Sequence, residues 1–158
     1  MPDLQVKSFT TRYTGLANAL TSPVKISENF NPATPSFDFS KPPNPDDDNF
    51  EAIWDTGATH SVITQKVVQR LDLKYIGFTT VCGVHGKEIV RTYSVCIYLP
   101  NGLHVDGVVV TEGNLGDADV LIGMDIISKG DFVVTNKDGK TVFSFRTPSV
   151  EIIDFTQL

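Results

Sequence analysis

The sequence predicts an all-β fold with two short helices, of the small closed or sandwiched type. Three observations predict it. Short runs rich in Val, Ile, Thr, Phe and Tyr recur along the chain, bounded by Gly, Pro, Asn-Gly and Asp-Gly. Helical spacing is confined to two brief stretches, one after Thr64 and one after Gly123. No internal repeat is present.

The elements follow in order. Leu4–Tyr13 is rich in β-formers and is broken by Thr14-Gly15, after which Val24-Lys25-Ile26-Ser27 alternates again. Together they predict an N-terminal hairpin or meander over 4–27. Asn31–Asn49 differs in kind: it holds five prolines and Asp46-Asp47-Asp48, has no apolar period, and reads as a long exposed loop or linker. Thr64 is placed to N-cap a short helix over Gln65–Leu71. Ile76–Cys82 and Ile89–Leu99 read as strands around the turn Gly83-Val84-His85-Gly86. Pro100-Asn101-Gly102 turns the chain into a strand over Leu103–Thr111. Val120-Leu121-Ile122 is a continuous apolar strand, followed by Gly123, a short helix ending at Gly130 and a strand from Phe132. Asp138-Gly139 turns into Thr141–Phe145, and Val150–Phe155 reads as a last strand.

With 158 residues the chain predicts one domain over 1–158, its core spanning 50–155. The net charge of −6 would repel a phosphate backbone, and Lys66, Arg70 and Lys74 are too spread to make a basic patch. Nucleic acid is therefore excluded as an expected partner. No apolar stretch approaches the roughly 18 residues of a membrane span, and the start lacks a basic-then-apolar signal. The expected setting is the cytoplasm, where Cys82 and Cys96 would be free thiols. His60, His85 and His104 show no metal-ligand spacing with either cysteine, so no metal is expected.

The chemistry concentrates in Phe50–Thr64, which reads FEAIWDTGATHSVIT. Asp-x-Gly is common at ordinary turns. Here, however, Asp55-Thr56-Gly57 follows the apolar run Ala52-Ile53-Trp54 and precedes Val62-Ile63. A carboxylate aimed out of such a frame is costly without a purpose or partner. Ser61 has no evident His/Asp partner and reads as a hydrogen bonder near the loop. Asp125 reads as capping or orienting its short helix, and Met124, Ile126 and Ile127 read as core.

Three stretches in order, AIWDTGATHSVIT, CGVHGKEIVRTY and DVLIGMDII, together resemble the retropepsin family of single-domain aspartic proteases. The resemblance covers about Phe50 to Phe145 and implies a closed acid-protease barrel working as a symmetric homodimer on extended polypeptide substrates, with no cofactor. It implies that Asp55 is catalytic and that Thr56, Gly57, Ala58 and Gly123 support its loop. Thr59 and His60 would contact substrate, as would Gly83, Val84, His85 and Gly86 in a closing flap, which Val90, Arg91 and Tyr93 follow. The chemistry agrees: two carboxylates sharing one proton can activate water and protonate the substrate, and a single Asp-Thr-Gly requires the second from another copy. The alternative is a dimeric peptide-binding or scaffolding module on the same fold, without turnover. Two departures stand out. Thr59 and Met124 occupy positions where many viral members carry an acid and an arginine that pair, and His85 stands at a flap tip usually occupied by a very small residue.

Overall fold

The computed structural model describes residues 5–29 and 49–157, so the loop expected over 31–49 lies outside the described residues except for Asn49. The described residues are mostly β, with a few short helices. The strands are β1 (Lys7–Arg12), β2 (Leu20–Glu28), β3 (Phe50–Trp54), β4 (Val62–Ile63) and β5 (Gly77–Gly83). They continue with β6 (Gly86–Tyr98), β7 (His104–Glu112), β8 (Val120–Ile122), β9 (Asp131–Thr135) and β10 (Val142–Thr147). Helix α1 spans Gln65–Arg70 and α2 spans Met124–Ile127.

Seven strands hydrogen-bond in the order β2-β3-β8-β4-β7-β6-β5, and β2 also pairs with β6, so six of them form a circuit of neighbours that returns on itself. The other three strands make a sheet in the order β1-β10-β9. The expected N-terminal hairpin over 4–27 does not form. β1 pairs antiparallel with β10, while β2 pairs with β3 and β6. The alternation Val24, Ile26 suits an inward face equally in either pairing, so the sequence pattern could not choose the partner. The buried core includes Phe9 of β1 and Val24 and Ile26 of β2, all ahead of residue 50.

The expected strand over Val150–Phe155 is also absent; the chain there is irregular and ends in one 3-10 turn, Phe155–Gln157. Its side chains Ile152 and Phe155 are 95% and 74% exposed, and among the described residues no strand pairs with this segment. Thr64 does stand at the N-cap of α1, but its hydroxyl makes no cap bond. The Asn-Gly and Asp-Gly turns form as the sequence predicts, with Asn101 and Asp138 both in the left-handed region.

The two sheets meet at Trp54. Burial alternates along β3, with Phe50, Ala52 and Trp54 inward. The Trp54 ring lies 5.1 Å from Phe145, 5.5 Å from Phe143 and 5.7 Å from Phe9, centroid to centroid, and stacks on Phe132 at 6.0 Å. Its indole N–H donates to Ser22 Oγ at 2.9 Å, so the one polar atom of the cluster is satisfied. Since Trp54 immediately precedes Asp55, this aromatic cluster fixes the foot of the Asp55 loop.

Beyond β10 the chain is pinned by Asp131. Its carboxylate accepts from the Ser149 hydroxyl, from Val150 N–H at 2.8 Å and from Arg146 Nε–H at 2.6 Å. These donors, the Ser149 hydroxyl foremost, hold the Asp131 carboxyl well below its ordinary value of 3.8. A depressed carboxyl contributes stability that is present above its unfolded value and lost as pH falls below it. The difference in urea midpoint between wild type and Asp131→Asn should therefore stay constant from about pH 8 to about pH 5 and shrink below about pH 4. A difference unchanged down to about pH 2 would contradict this assignment. Gly130 supplies a second test, because a Cβ there would overlap the Arg146 carbonyl oxygen. Gly130→Ala should cost about 3 kcal/mol in equilibrium unfolding, the upper range for forced overpacking.

Candidate active site

Strands β3 and β8 run parallel with Trp54 opposite Ile122, which sets Asp55 at the end of β3 beside Gly123. The loop from Asp55 to Ser61 leaves β3, crosses over Gly123 and re-enters the sheet at β4, where Val62 pairs with Leu121. Asp55 N–H donates to Ile122 O at 2.9 Å, and Ala58 N–H donates back to Asp55 O at 3.2 Å. The first turn of α2 is tied to the same loop, with Met124 N–H on Ala58 O at 2.8 Å and Asp125 N–H on Thr59 O at 3.2 Å. The loop is a braced platform, held from below by backbone.

Gly123 is buried, and a Cβ there would stand 2.9 Å from Ala58 O and from both His60 C and His60 O. No side chain fits there unless the loop shifts. Gly57 lies in the turn that the Ala58 N–H to Asp55 O bond closes, and its φ is not positive, so left-handed backbone is not what calls for glycine there. A Cβ at Gly57 would instead crowd Asp55 Oδ1 at 3.1 Å.

Asp55 is exposed. Its Oδ1 accepts from Gly57 N–H at 2.8 Å, and Oδ2 has no hydrogen bond among the described residues. The local turn geometry of an Asp-x-Gly is thus present, yet it occupies only one carboxylate oxygen and leaves the other presented to solvent. Thr56, Gly57, Thr59 and His60 are exposed around it and Ala58 is half-buried. Asp55 borders a hollow of about 380 Å³ with Ala17–Leu20, Ile53 and Val134. A larger cleft, about 550 Å³, lies elsewhere, between Thr64–Lys66, Glu88–Arg91 of β6 and residues 112–119, and does not include Asp55.

The β5–β6 hairpin closes on the pair Gly83–Gly86, with Val84-His85 as its two-residue turn and Gly86 at φ +109°. All four residues are exposed, Val84 at 99%, so one chain does not bring this turn onto the Asp55 loop. Tyr93, further along β6, is buried and donates its hydroxyl to Glu112 Oε2 at 2.8 Å; burial foremost, then Glu112, raises its pKa. Cys82 is exposed on the hairpin and Cys96 is buried, both free. Met124, expected in the core, is 38% exposed, whereas Ile126 and Ile127 are buried as expected.

Sequence reasoning left Ser61 and Asp125 as separate local features, and the structure joins them. Ser61 is fully buried; its N–H and hydroxyl donate to Asp125 Oδ2 and Oδ1 at 2.9 and 2.7 Å, and its Oγ accepts from Gly123 N–H at 3.0 Å. The residues lie 64 positions apart, and only the β4–β8 register brings them together.

A parallel strand pair thus carries an exposed Asp-Thr-Gly loop over a buried glycine. The chain belongs to the family described as "gag-polyprotein putative aspartyl protease", whose model matches residues 45–129. The fold resembles a retropepsin-like aspartic protease from Rickettsia conorii, with TM-score 0.52 and 9% identity over 93% of this chain and 99% of that one. It also resembles EIAV protease complexed with the inhibitor HBY-793, with TM-score 0.51 and 22% identity over 73% of this chain and 90% of that one. No curated protein matches the chain in sequence. The fold is retropepsin-like. Among the described residues no helix is long and apolar enough to cross a membrane.

Gly123→Ala tests the braced platform. It should destabilise the protein by about 1–3 kcal/mol and shift the amide signals of residues 57–61 and 124–125. Unchanged stability and unchanged signals would show that the loop does not rest on this glycine.

Proposed function

We propose that the chain is an aspartic endopeptidase that hydrolyses peptide bonds of extended polypeptides with one Asp55 from each of two copies. The observation that carries this reading is Asp55 itself, on a loop braced from beneath, with one oxygen held by Gly57 N–H and the other without a hydrogen bond among the described residues. Family membership and the retropepsin-like fold support it.

The mechanism follows from the charge. Two carboxylates about 3 Å apart cannot both ionise cheaply, so the pair holds one proton and titrates as a unit. The ionised member takes a proton from water as the water oxygen attacks the peptide carbonyl carbon. The protonated member donates to the carbonyl oxygen, giving a tetrahedral intermediate. Collapse returns that proton to the pair, breaks the C–N bond and protonates the departing amine. The proposed chemistry calls on no cofactor.

A twofold homodimer would bring the two loops together on its axis. Thr56 would reach across to the partner's loop, while Gly57 and Ala58 leave room for substrate backbone. The six-strand circuit corresponds to the barrel of each copy, within a single domain over 1–158. The β5–β6 hairpin, with Gly83, Val84, His85 and Gly86 at its end, would act as the flap that closes over substrate and excludes water. Thr59 and His60 would meet substrate backbone below it. The exposed apolar segment Val150–Phe155 would pack between copies. The stretch 31–49 is a candidate tether or self-processing site, and the protein would act in the cytoplasm without nucleic acid.

Asp55→Asn should lower cleavage of an unfolded protein by at least about a hundredfold while leaving fold and association intact. Wild-type specific activity should rise with protomer concentration. Retained hydrolysis in Asp55→Asn would overturn the assignment. Affinity for extended peptides without new N-termini would favour the binding module instead.

A further inference from the structure

The peptide group between Ile122 and Gly123 is held on both edges. Its C=O accepts from Asp55 N–H at 2.9 Å, and its N–H donates to Ser61 Oγ at 3.0 Å. A peptide group is planar and stiff, so turning its N–H edge turns its C=O edge by the same amount. The two ends of the Asp55–Ser61 loop are therefore fastened to opposite edges of one rigid plate.

Ser61 in turn is fixed by Asp125. Both Asp125 oxygens are used, Oδ2 by Ser61 N–H and Oδ1 by the Ser61 hydroxyl and Ile126 N–H, at 2.9, 2.7 and 3.0 Å. With its proton committed to Asp125, the buried Ser61 oxygen presents its lone pairs to Gly123 N–H. A hydroxyl that donates to a carboxylate is also a better acceptor, so each bond in this chain strengthens the next. Asp125 takes part in none of the ion pairs among the described residues; hydrogen-bond donors alone satisfy it.

We infer that Asp125 is a positioning residue, which sets the Asp55 backbone through Ser61 and the Ile122–Gly123 peptide plane. Ser61 is the link, and neither residue touches substrate. This goes beyond a helix-capping aspartate, because the group it orients is on the other side of β8. Its effect on turnover rests on the catalytic reading of Asp55; its effect on the geometry of the Asp55 loop does not.

Asparagine should replace Asp125 partially. Its carbonyl oxygen can take Ser61 N–H and its amide N–H can reach Ser61 Oγ, which still accepts from Gly123; the bond to Ile126 N–H and an acceptor for the Ser61 proton are lost. Alanine supplies none of these.

The test uses the full chain as wild type, Asp125→Ala, Asp125→Asn, Ser61→Ala and the Asp125→Ala/Ser61→Ala double variant. Cleavage is measured at protomer concentrations where the rate per chain no longer rises. In parallel, the Asp55 and Gly57 amide signals are followed by NMR. Asp125→Ala and Ser61→Ala should each lower kcat about 10- to 100-fold, the scale of a misplacement near 1 Å, with KM changed by less than about threefold. Asp125→Asn should recover most of the loss, and the double variant should lose little more than either single one. The Asp55 amide should move upfield in both alanine variants as its bond to Ile122 O lengthens.

Wild-type kcat and an unmoved Asp55 amide in a folded Asp125→Ala would overturn the inference. If Asp125→Ala does not fold, Ser61→Ala decides alone, since it removes only the hydroxyl. If wild type shows no cleavage, the amide signals decide, and the catalytic reading falls separately.

Discussion

The close approach of the Asp55 loop to the backbone at Gly123 is the constraint from which the rest of the site follows. Ala58 and His60 lie where any side chain at position 123 would stand, and the neighbouring peptide group bonds to both ends of the loop. That contact needs β3 and β8 adjacent and parallel, which places β8 between β3 and β4. It also needs the foot of β3 to stay still, and the Trp54 cluster between the two sheets provides for that. Core packing, strand order and loop geometry therefore serve one outcome, a carboxylate held in a fixed direction at the surface.

Much of this was legible in the sequence because local chemistry specified it. Asp55-Thr56-Gly57, the apolar run before it and the apolar strand ending in Gly123 are patterns with few other physical uses in that order. Asn101-Gly102 and Asp138-Gly139 likewise demand left-handed backbone, and their turns form where the residues say. What was not legible depended on partners far along the chain. β1 has the composition of a strand but nothing that selects β10 over β2. Ser61 and Asp125 are unremarkable in isolation and become a unit only through the β4–β8 register. Val150–Phe155 has strand composition yet no strand, since composition cannot supply a neighbour.

One chain leaves a consistent set of groups unpartnered. Among the described residues Asp55 Oδ2 has no hydrogen bond, the β5–β6 hairpin holds Val84 out in solvent, and Ile152 and Phe155 are exposed beyond β10. A second copy is the occupant proposed for all three, since it would complete the carboxylate pair as well as cover the apolar groups. The neutral pair Thr59 and Met124 fits the same economy. Neither side chain can form an ion pair, and backbone bonds from Met124 to Ala58 and from Asp125 to Thr59 hold the loop.

On the proposed mechanism both Asp55 carboxylates act on one peptide bond. It is tested most directly by co-refolding wild-type and Asp55→Asn chains in varied proportions and measuring cleavage at fixed total protein. If catalysis needs an intact Asp55 from each copy, activity should follow the square of the wild-type fraction, so an equal mixture keeps about one quarter of it. Activity that falls in simple proportion, to about one half in the equal mixture, would mean that each chain works alone and would contradict the account.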